Sequence, residues 1–232
     1  MKSEEKRLGF PSSKRMKNYI FDLDGTILNT ISGLRYAINE ALEENGFPYR
    51  YDDEATKHLI GEGTDVLVHR ALQDQDNPAN FALLKAAYLP RYRANQEIHT
   101  SLFPGVKETL ERLRKEGALL FVCTNKPDIL AKRIVTKFYG SDFFLEIRGL
   151  QDGETPKPNP AIVNSFLRQY HLKPEETLFV GDSITDYETA TNAKLLCGIC
   201  LWGYGRYQED WISHCAYRFT KPEDLWNTYS AK

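Results

Sequence analysis

The chain has 232 residues, 41% of them hydrophobic and 27% charged, the balance of a soluble globular protein with one large domain or a core carrying a smaller inserted one. A formal net charge of −2 gives no electrostatic case for binding nucleic acid or an anionic membrane. No apolar run approaches the ~20 residues that span a bilayer.

Residues 1–17 mix Lys, Arg, Glu and Ser and hold no apolar signal core, so they are expected to form a flexible tail in a cytoplasmic protein. Tyr19, Ile20 and Phe21 then form a short β-branched and aromatic run, read as a buried strand. Asp22 and Asp24 follow it at once, and Gly25-Thr26 supplies a turn. Two carboxylates at a strand end are either a solvated turn or a pair pointing one way to share a cation and a reacting group.

From residue 30 to residue 100 the pattern is all helical. Ile31, Leu34, Ile38 and Leu42 give helical spacing over 31–45, ended by Gly46 and Pro48. Residues 49–54 read as a link and Gly61-Glu-Gly-Thr64 as a turn, with Thr64 expected to cap a helix through Val66, Leu67 and Leu72. Residues 74–80 read as loop and 81–97 as helix. Strands and helices alternate from Pro104-Gly105 onward: helix 106–115, strand 118–123, helix 128–138, strand 143–147, helix 161–170, strand 177–180, helix 185–194 and strand 197–201. Apolar strands alternating with helices predict a parallel sheet covered on both faces, an α/β Rossmann-like core.

The polar residues gather at predicted strand ends, where open parallel sheets bind ligands. In order these are Asp22 with Asp24, Thr124 with Asn125, a loop carrying Lys157, and Asp182 with Asp186. At ~4 Å and an effective dielectric near 20, each like-charge pair costs about 4 kcal/mol. Mg²⁺ is the natural remedy, because it prefers oxygen ligands and keeps sites for a phosphate. With Lys157 it defines a phosphoryl site, and the Thr124 hydroxyl and Asn125 amide would supply further hydrogen bonds. Cys197-Gly-Ile-Cys200 has the spacing of half a zinc site or a redox pair, but no second pair accompanies it. With Cys123 and Cys215 it reads as buried reduced thiols. The five histidines show no ligand spacing and are assigned no role.

Phe21-Asp-Leu-Asp-Gly-Thr26, Thr124, Lys157-Pro158 and Gly181-Asp-Ser-Ile-Thr-Asp186 resemble the four ordered motifs of the haloacid-dehalogenase-like hydrolase superfamily, over about residues 18–204. The helical segment resembles that superfamily's first-type cap, inserted between the first and second motifs. The resemblance implies a core of residues 18–29 and 101–232 and a cap of 30–100, hinged near Thr30 and Ser101. It implies Asp22 as the nucleophile that becomes an aspartyl-phosphate, and Asp24 as the acid and then the base. It implies Thr124 and Lys157 on the phosphoryl oxygens, and Mg²⁺ on the Asp22 carboxylate, the Asp24 backbone carbonyl and Asp182. Asp186 would support Lys157 or a metal-bound water. Asp24 favours phosphate esters, because the dehalogenase branch lacks the second aspartate.

Val122-Cys-Thr-Asn-Lys-Pro127 and Gly61-Glu-Gly-Thr64 look like the phosphoglycolate phosphatase-like branch, with one departure at Lys194, where that branch usually has Gly. Phosphoglycolate is the leading expected substrate, ahead of a nucleotide or sugar phosphate. Gly61, Gly63 and Thr64 are candidates for reading the substrate. Arg70 is either a carboxylate partner or a solvated helix residue, and Tyr88 and Tyr92 are expected to be cap packing. A phosphomutase of the β-phosphoglucomutase kind shares the same motifs. A non-catalytic phosphate-binding protein is a third reading, against which the intact set Asp22, Asp24, Lys157 and Asp182 speaks. The sequence leaves open whether the chain is a monomer or a homodimer.

Overall fold

The computed structural model describes residues 16–229. Of the expected tail, residues 1–15 lie outside the described ones. Met16 and Lys17 join the folded part instead: Met16 is fully buried, its amide donates to Thr228 O at 2.7 Å, and the half-exposed Lys17 pairs its Nζ with Glu176 at 2.9 Å.

The strands are β1 (Asn18–Phe21), β2 (Leu119–Pro127), β3 (Glu146–Leu150), β4 (Thr177–Gly181), β5 (Leu196–Cys200) and β6 (Tyr217–Phe219). They form one sheet in the order β3-β2-β1-β4-β5-β6, with every pairing parallel. This doubly wound order reverses direction at β1, the point where such sheets open a crevice for ligands. Side chains alternate across the sheet with period two. Tyr19 and Phe21 accordingly enter the core on one face with Leu120, Val122 and Val180, while Ile20 joins Phe121, Phe166 and Phe179 on the other. Cys197 and Cys200, three apart on β5, fall on opposite faces. All four cysteines are free and buried, so this pair cannot chelate one ion.

Four helices lie between β1 and β2: α1 (Ile31–Glu44), α2 (Asp53–Lys57), α3 (Thr64–Leu72) and α4 (Pro78–Asn95). They share a core of their own, built on Leu34, Ile38, Leu42, Leu67, Val68, Leu84 and Tyr88. The sheet's flanking helices are α5 (Val106–Lys115), α6 (Asp128–Tyr139), α7 (Ala161–Gln169), α8 (Ile184–Asn192) and α9 (Glu209–Ile212). Leu130 of α6 packs into the helical segment's core. The two connections to that segment are zipped side by side, Asn29 N to Ser101 O at 2.8 Å and Ser101 N to Asn29 O at 3.0 Å. Among the described residues no helix is long and apolar enough to cross a membrane.

Several elements differ from the sequence reading. The strand expected at 143–147 begins at Glu146, because Phe143 and Phe144 are buried in the turn before it; an apolar run reports burial, not ladder pairing. β2 runs on through an irregular stretch to Pro127. Thr64 is the first helical residue and not the cap: Gly63 caps α3 at φ 94°, a conformation that favours glycine. α4 starts at Pro78, three residues early, because proline suits the first helical position and the Asn77 side chain caps it by accepting from Ala79 N and Asn80 N. The segment 49–54 runs into the short helix α2, capped by Asp52.

Candidate active site

Asp22 stands at the point where β1 ends. Its amide still donates to Val180 O at 2.8 Å, which fixes it beside β4. The chain then turns, with Leu23 O accepting from the amides of Thr26, Ile27 and Leu28, and Gly25 supplies the left-handed residue at φ 85°. This turn ends the strand alternation, so the two carboxylates point to different partners. The Asp22 carboxylate groups with those of Asp182 and Asp186, whose oxygens lie within 4.8 Å of one another. The Asp24 carboxylate faces Lys126, at 2.9 and 3.1 Å from Nζ.

Lys157 reaches the acidic cluster from the proline-rich loop before α7. Its Nζ is 2.8 Å from Asp22 Oδ1 and 2.7 Å from Asp186 Oδ1, and its side chain is 3% exposed. Asp186, in the first turn of α8, is fully buried and otherwise satisfied: Oδ2 accepts from Asp182 N, Ser183 N and Ser183 Oγ. Asp182, at the end of β4, accepts from Thr26 Oγ1 at 3.1 Å and from Tyr204 N at 2.6 Å.

One ammonium among three carboxylates leaves the cluster net negative, and the ionisation of its members shows it. Burial pushes the Asp22 carboxyl up to about 6; Lys157 pulls against this, and Asp186 and Asp24 add to it. Burial, then Asp186 and Asp22, hold Asp182 well above the usual carboxylate range. Burial pulls the Lys157 ammonium down, but Asp186 and Asp22 outweigh it and hold it above the usual lysine range.

Thr124 and Asn125, both buried, come from the irregular end of β2. The Thr124 hydroxyl oxygen accepts from Lys126 N at 3.2 Å and lines the cavity. The Asn125 amide is already committed: Oδ1 accepts from Lys157 N at 2.7 Å and Nδ2 donates to Lys157 O at 3.2 Å. It clamps the backbone that presents Lys157, so the structure gives it a loop-holding position and not a free donor.

Asp22, Asp24, Thr124, Asn125, Lys157 and Asp182 line a cavity of about 380 Å³ whose other wall is the helical segment. Gly61, Gly63, Thr64 and Arg70 all line it, so the structure brings the four substrate-reading candidates to the site. Arg70 is ion-paired to Glu62. Tyr88 and Tyr92 stack 5.5 Å apart in the helical core as expected, but they also line the cavity, and the Tyr92 hydroxyl meets Lys126 Nζ.

Sequence reasoning missed Lys126, Tyr204 and His58. Lys126 sits inside the Val122–Pro127 stretch, but nothing in its local sequence marks it as buried. Tyr204 joins the acidic cluster to the helical segment: its amide binds Asp182, and its hydroxyl accepts from Thr30 N and Ile31 N and donates to Asn29 Oδ1. Nothing in the sequence marks it. His58 lines the cavity and accepts from Arg206 Nε at 3.0 Å.

The same fold recurs in known proteins. The family model for haloacid dehalogenase-like hydrolases matches residues 19–198. A phosphoglycolate phosphatase of Aliivibrio fischeri is 34% identical over 198 residues, covering 82% of this chain and 86% of the relative. A phosphoglycolate phosphatase of Mannheimia succiniciproducens is 34% identical over 212 residues, covering 88% and 94%. The crystal structure of a predicted phosphoglycolate phosphatase from Haemophilus somnus 129PT superposes with a TM-score of 0.84 at 32% identity, covering 91% of this chain and 97% of that one. The chain belongs to the haloacid dehalogenase-like hydrolase family, in its phosphoglycolate phosphatase-like branch.

Proposed function

We propose that this phosphoric monoester hydrolase acts on a small phosphorylated acid, with phosphoglycolate as the leading substrate, through an aspartyl-phosphate on Asp22. The observation that carries the reading is the meeting of Asp22, Asp182, Lys157 and Thr124 in one small cavity, with Asp186 buried behind Lys157. Relatives named phosphoglycolate phosphatase support the substrate. So does the cavity, whose ~380 Å³ is near the low end for ligand sites. Residues 18–29 and 101–232 act as the core in this reading, and 30–100 as the cap.

The donor set fits Mg²⁺. Asp22 Oδ1 is buried with only Lys157 Nζ beside it, so three clustered carboxylates share one ammonium, with Asp182 the acidic neighbour of Asp22. A Cβ on Gly25, Gly203 or Gly205 would collide with Asp182, so the chain keeps space around that residue free of side chains. Asp22, Asp182 and the Asp24 backbone carbonyl would hold the ion, with Asp186 held off by Lys157 and Ser183. Bound there, Mg²⁺ neutralises the acidic cluster and the phosphoryl charge.

The residues do the rest. Thr124 and Lys157 bind phosphoryl oxygens, and Lys157 also aims Asp22. An Asp22 oxygen forms a bond to phosphorus while the ester P–O bond breaks, and Asp24 gives its proton to the departing oxygen. Asp24 then takes a proton from water as that water attacks phosphorus, releasing inorganic phosphate and restoring Asp22. Arg70, freed from Glu62, would meet the substrate carboxylate, with Gly61, Gly63 and Thr64 shaping the cavity beside it.

Phosphate release from a panel of small esters, with and without Mg²⁺, tests this reading. Mg²⁺-dependent release that is fastest with phosphoglycolate and falls by roughly 10³-fold or more in Asp22→Asn is expected. Isomerisation of a sugar phosphate with no ester hydrolysed would assign a phosphomutase instead.

A further inference from the structure

Lys126 is a buried cation that the chemistry above leaves without a task. It belongs to the end of β2, its side chain is 2% exposed, and its Nζ lies 2.9 and 3.1 Å from the two oxygens of Asp24. The third contact of Nζ is the hydroxyl of Tyr92 in α4, whose ring centroid lies 4.7 Å away. An ammonium has three protons, and these contacts account for them. Tyr92 is itself fixed, buried to 3% exposure and stacked on Tyr88. The chain of contacts therefore runs from the helical core, through one tyrosine and one lysine, to both oxygens of the aspartate at the reaction site.

We infer that Lys126 and Tyr92 are positioning residues for Asp24, fixing the carboxyl at the orientation from which it serves the leaving oxygen. The inference rests on the reading of Asp24 as the proton donor. Asp24 is 22% exposed at its side chain, and the turn after β1 holds only its backbone; without Lys126 its carboxyl is free to rotate toward water. Tyr92 belongs to the helical segment, whereas Lys126 belongs to β2 and Asp24 to the turn after β1. The arrangement is complete only while the two are packed together, so the acid is set when the cavity is covered.

A lysine that merely neutralises a neighbouring carboxylate would have the same contacts, and leaving-group dependence separates the two roles. In the step at issue the ester P–O bond breaks, its electron pair goes to the departing oxygen, and Asp24 supplies that oxygen's proton. Phenolate needs this proton far more than 4-nitrophenolate, while the two esters have nearly the same shape and neither carries a carboxylate. The readout is the ratio of kcat/KM for 4-nitrophenyl phosphate to that for phenyl phosphate. It is measured with Mg²⁺ in wild type, Asp24→Asn, Lys126→Met and Tyr92→Phe. General acids contribute about 10²–10⁴-fold, so the ratio should rise at least about tenfold in Asp24→Asn and by several-fold to tenfold in the other two.

Tyr92→Phe removes one hydroxyl and keeps the stacked ring, which guards against a Lys126→Met protein that fails to fold. A raised ratio in Asp24→Asn with unchanged ratios in both Lys126→Met and Tyr92→Phe overturns the inference and leaves the reading of Asp24 intact. Equal loss on both esters in those two variants does the same, because it marks a structural role. An unchanged ratio in Asp24→Asn removes the reading of Asp24 as acid, and the inference with it.

Discussion

Lys157 holds the acidic cluster together. Its ammonium lies between Asp22 and Asp186 with almost no exposure, and Asn125 holds both polar groups of its backbone. Removing one partner of a buried ion pair leaves an uncompensated charge, which costs about 3–5 kcal/mol. Lys157→Met should therefore lower unfolding stability by about that amount, as read from denaturant midpoints; a loss below ~1 kcal/mol would contradict the packing described. The raised carboxyls carry a second expectation. The folded, metal-free protein binds protons at Asp22, at about 6, more tightly than the unfolded chain with its ordinary carboxylate at 3.8. This contribution to stability is present below the unfolded value and is lost as pH rises through about 6. Mg²⁺ needs the ionised carboxylates and so opposes that loss. Its stabilisation should be small near about pH 5 and grow by a few degrees of Tm near about pH 7.5, and an equal shift at both would contradict it. Asp22 and Asp182 were legible because each stands at the end of an apolar run, and Lys157 because it sits in a proline-punctuated loop between two such strands. Lys126 was not, because its burial depends on Tyr92, a residue of a separate element far upstream.

At the scale of elements, apolar runs located β1, β2, β4 and β5 to within a few residues, since strands buried on both faces need them. Where the same signal had another cause it misled, as at Phe143 and Phe144, which fill the core from a turn. β6, three residues long, gave no run to read. Lys194 is the informative departure. It follows α8 at φ 59°, with its amide donating to Thr191 O and that of Leu195 to Ala190 O, the paired bonds of a left-handed helix ending. A lysine there bears a Cβ penalty that glycine avoids. Lys194→Gly should stabilise the protein by about 1 kcal/mol, raising Tm by ~2–4 °C with turnover unchanged; a lower Tm would show that the turn tolerates the side chain at no cost.

For the whole molecule, the strand order places the crevice at β1, and the sequence then routes α1–α4 out of the sheet directly beyond it. The alternation of strand and helix made the class of fold legible, and the long all-helical stretch made the insertion legible. Which side chains cross between the two was not legible, because Tyr92–Lys126, His58–Arg206 and Tyr204–Thr30 join residues with no shared local pattern. These contacts join the two parts around the cavity beside Asp22, and in the proposed mechanism they would shield a covalent intermediate from water until the leaving group has gone. That intermediate can be trapped. Wild-type protein mixed with phosphoglycolate and Mg²⁺, quenched in acid within the first turnover and mapped by peptide mass spectrometry, tests it directly. A phosphoryl adduct on the peptide carrying Asp22, absent from Asp22→Asn, is the result the account predicts. Phosphate released in full with no adduct at any quench time would contradict it.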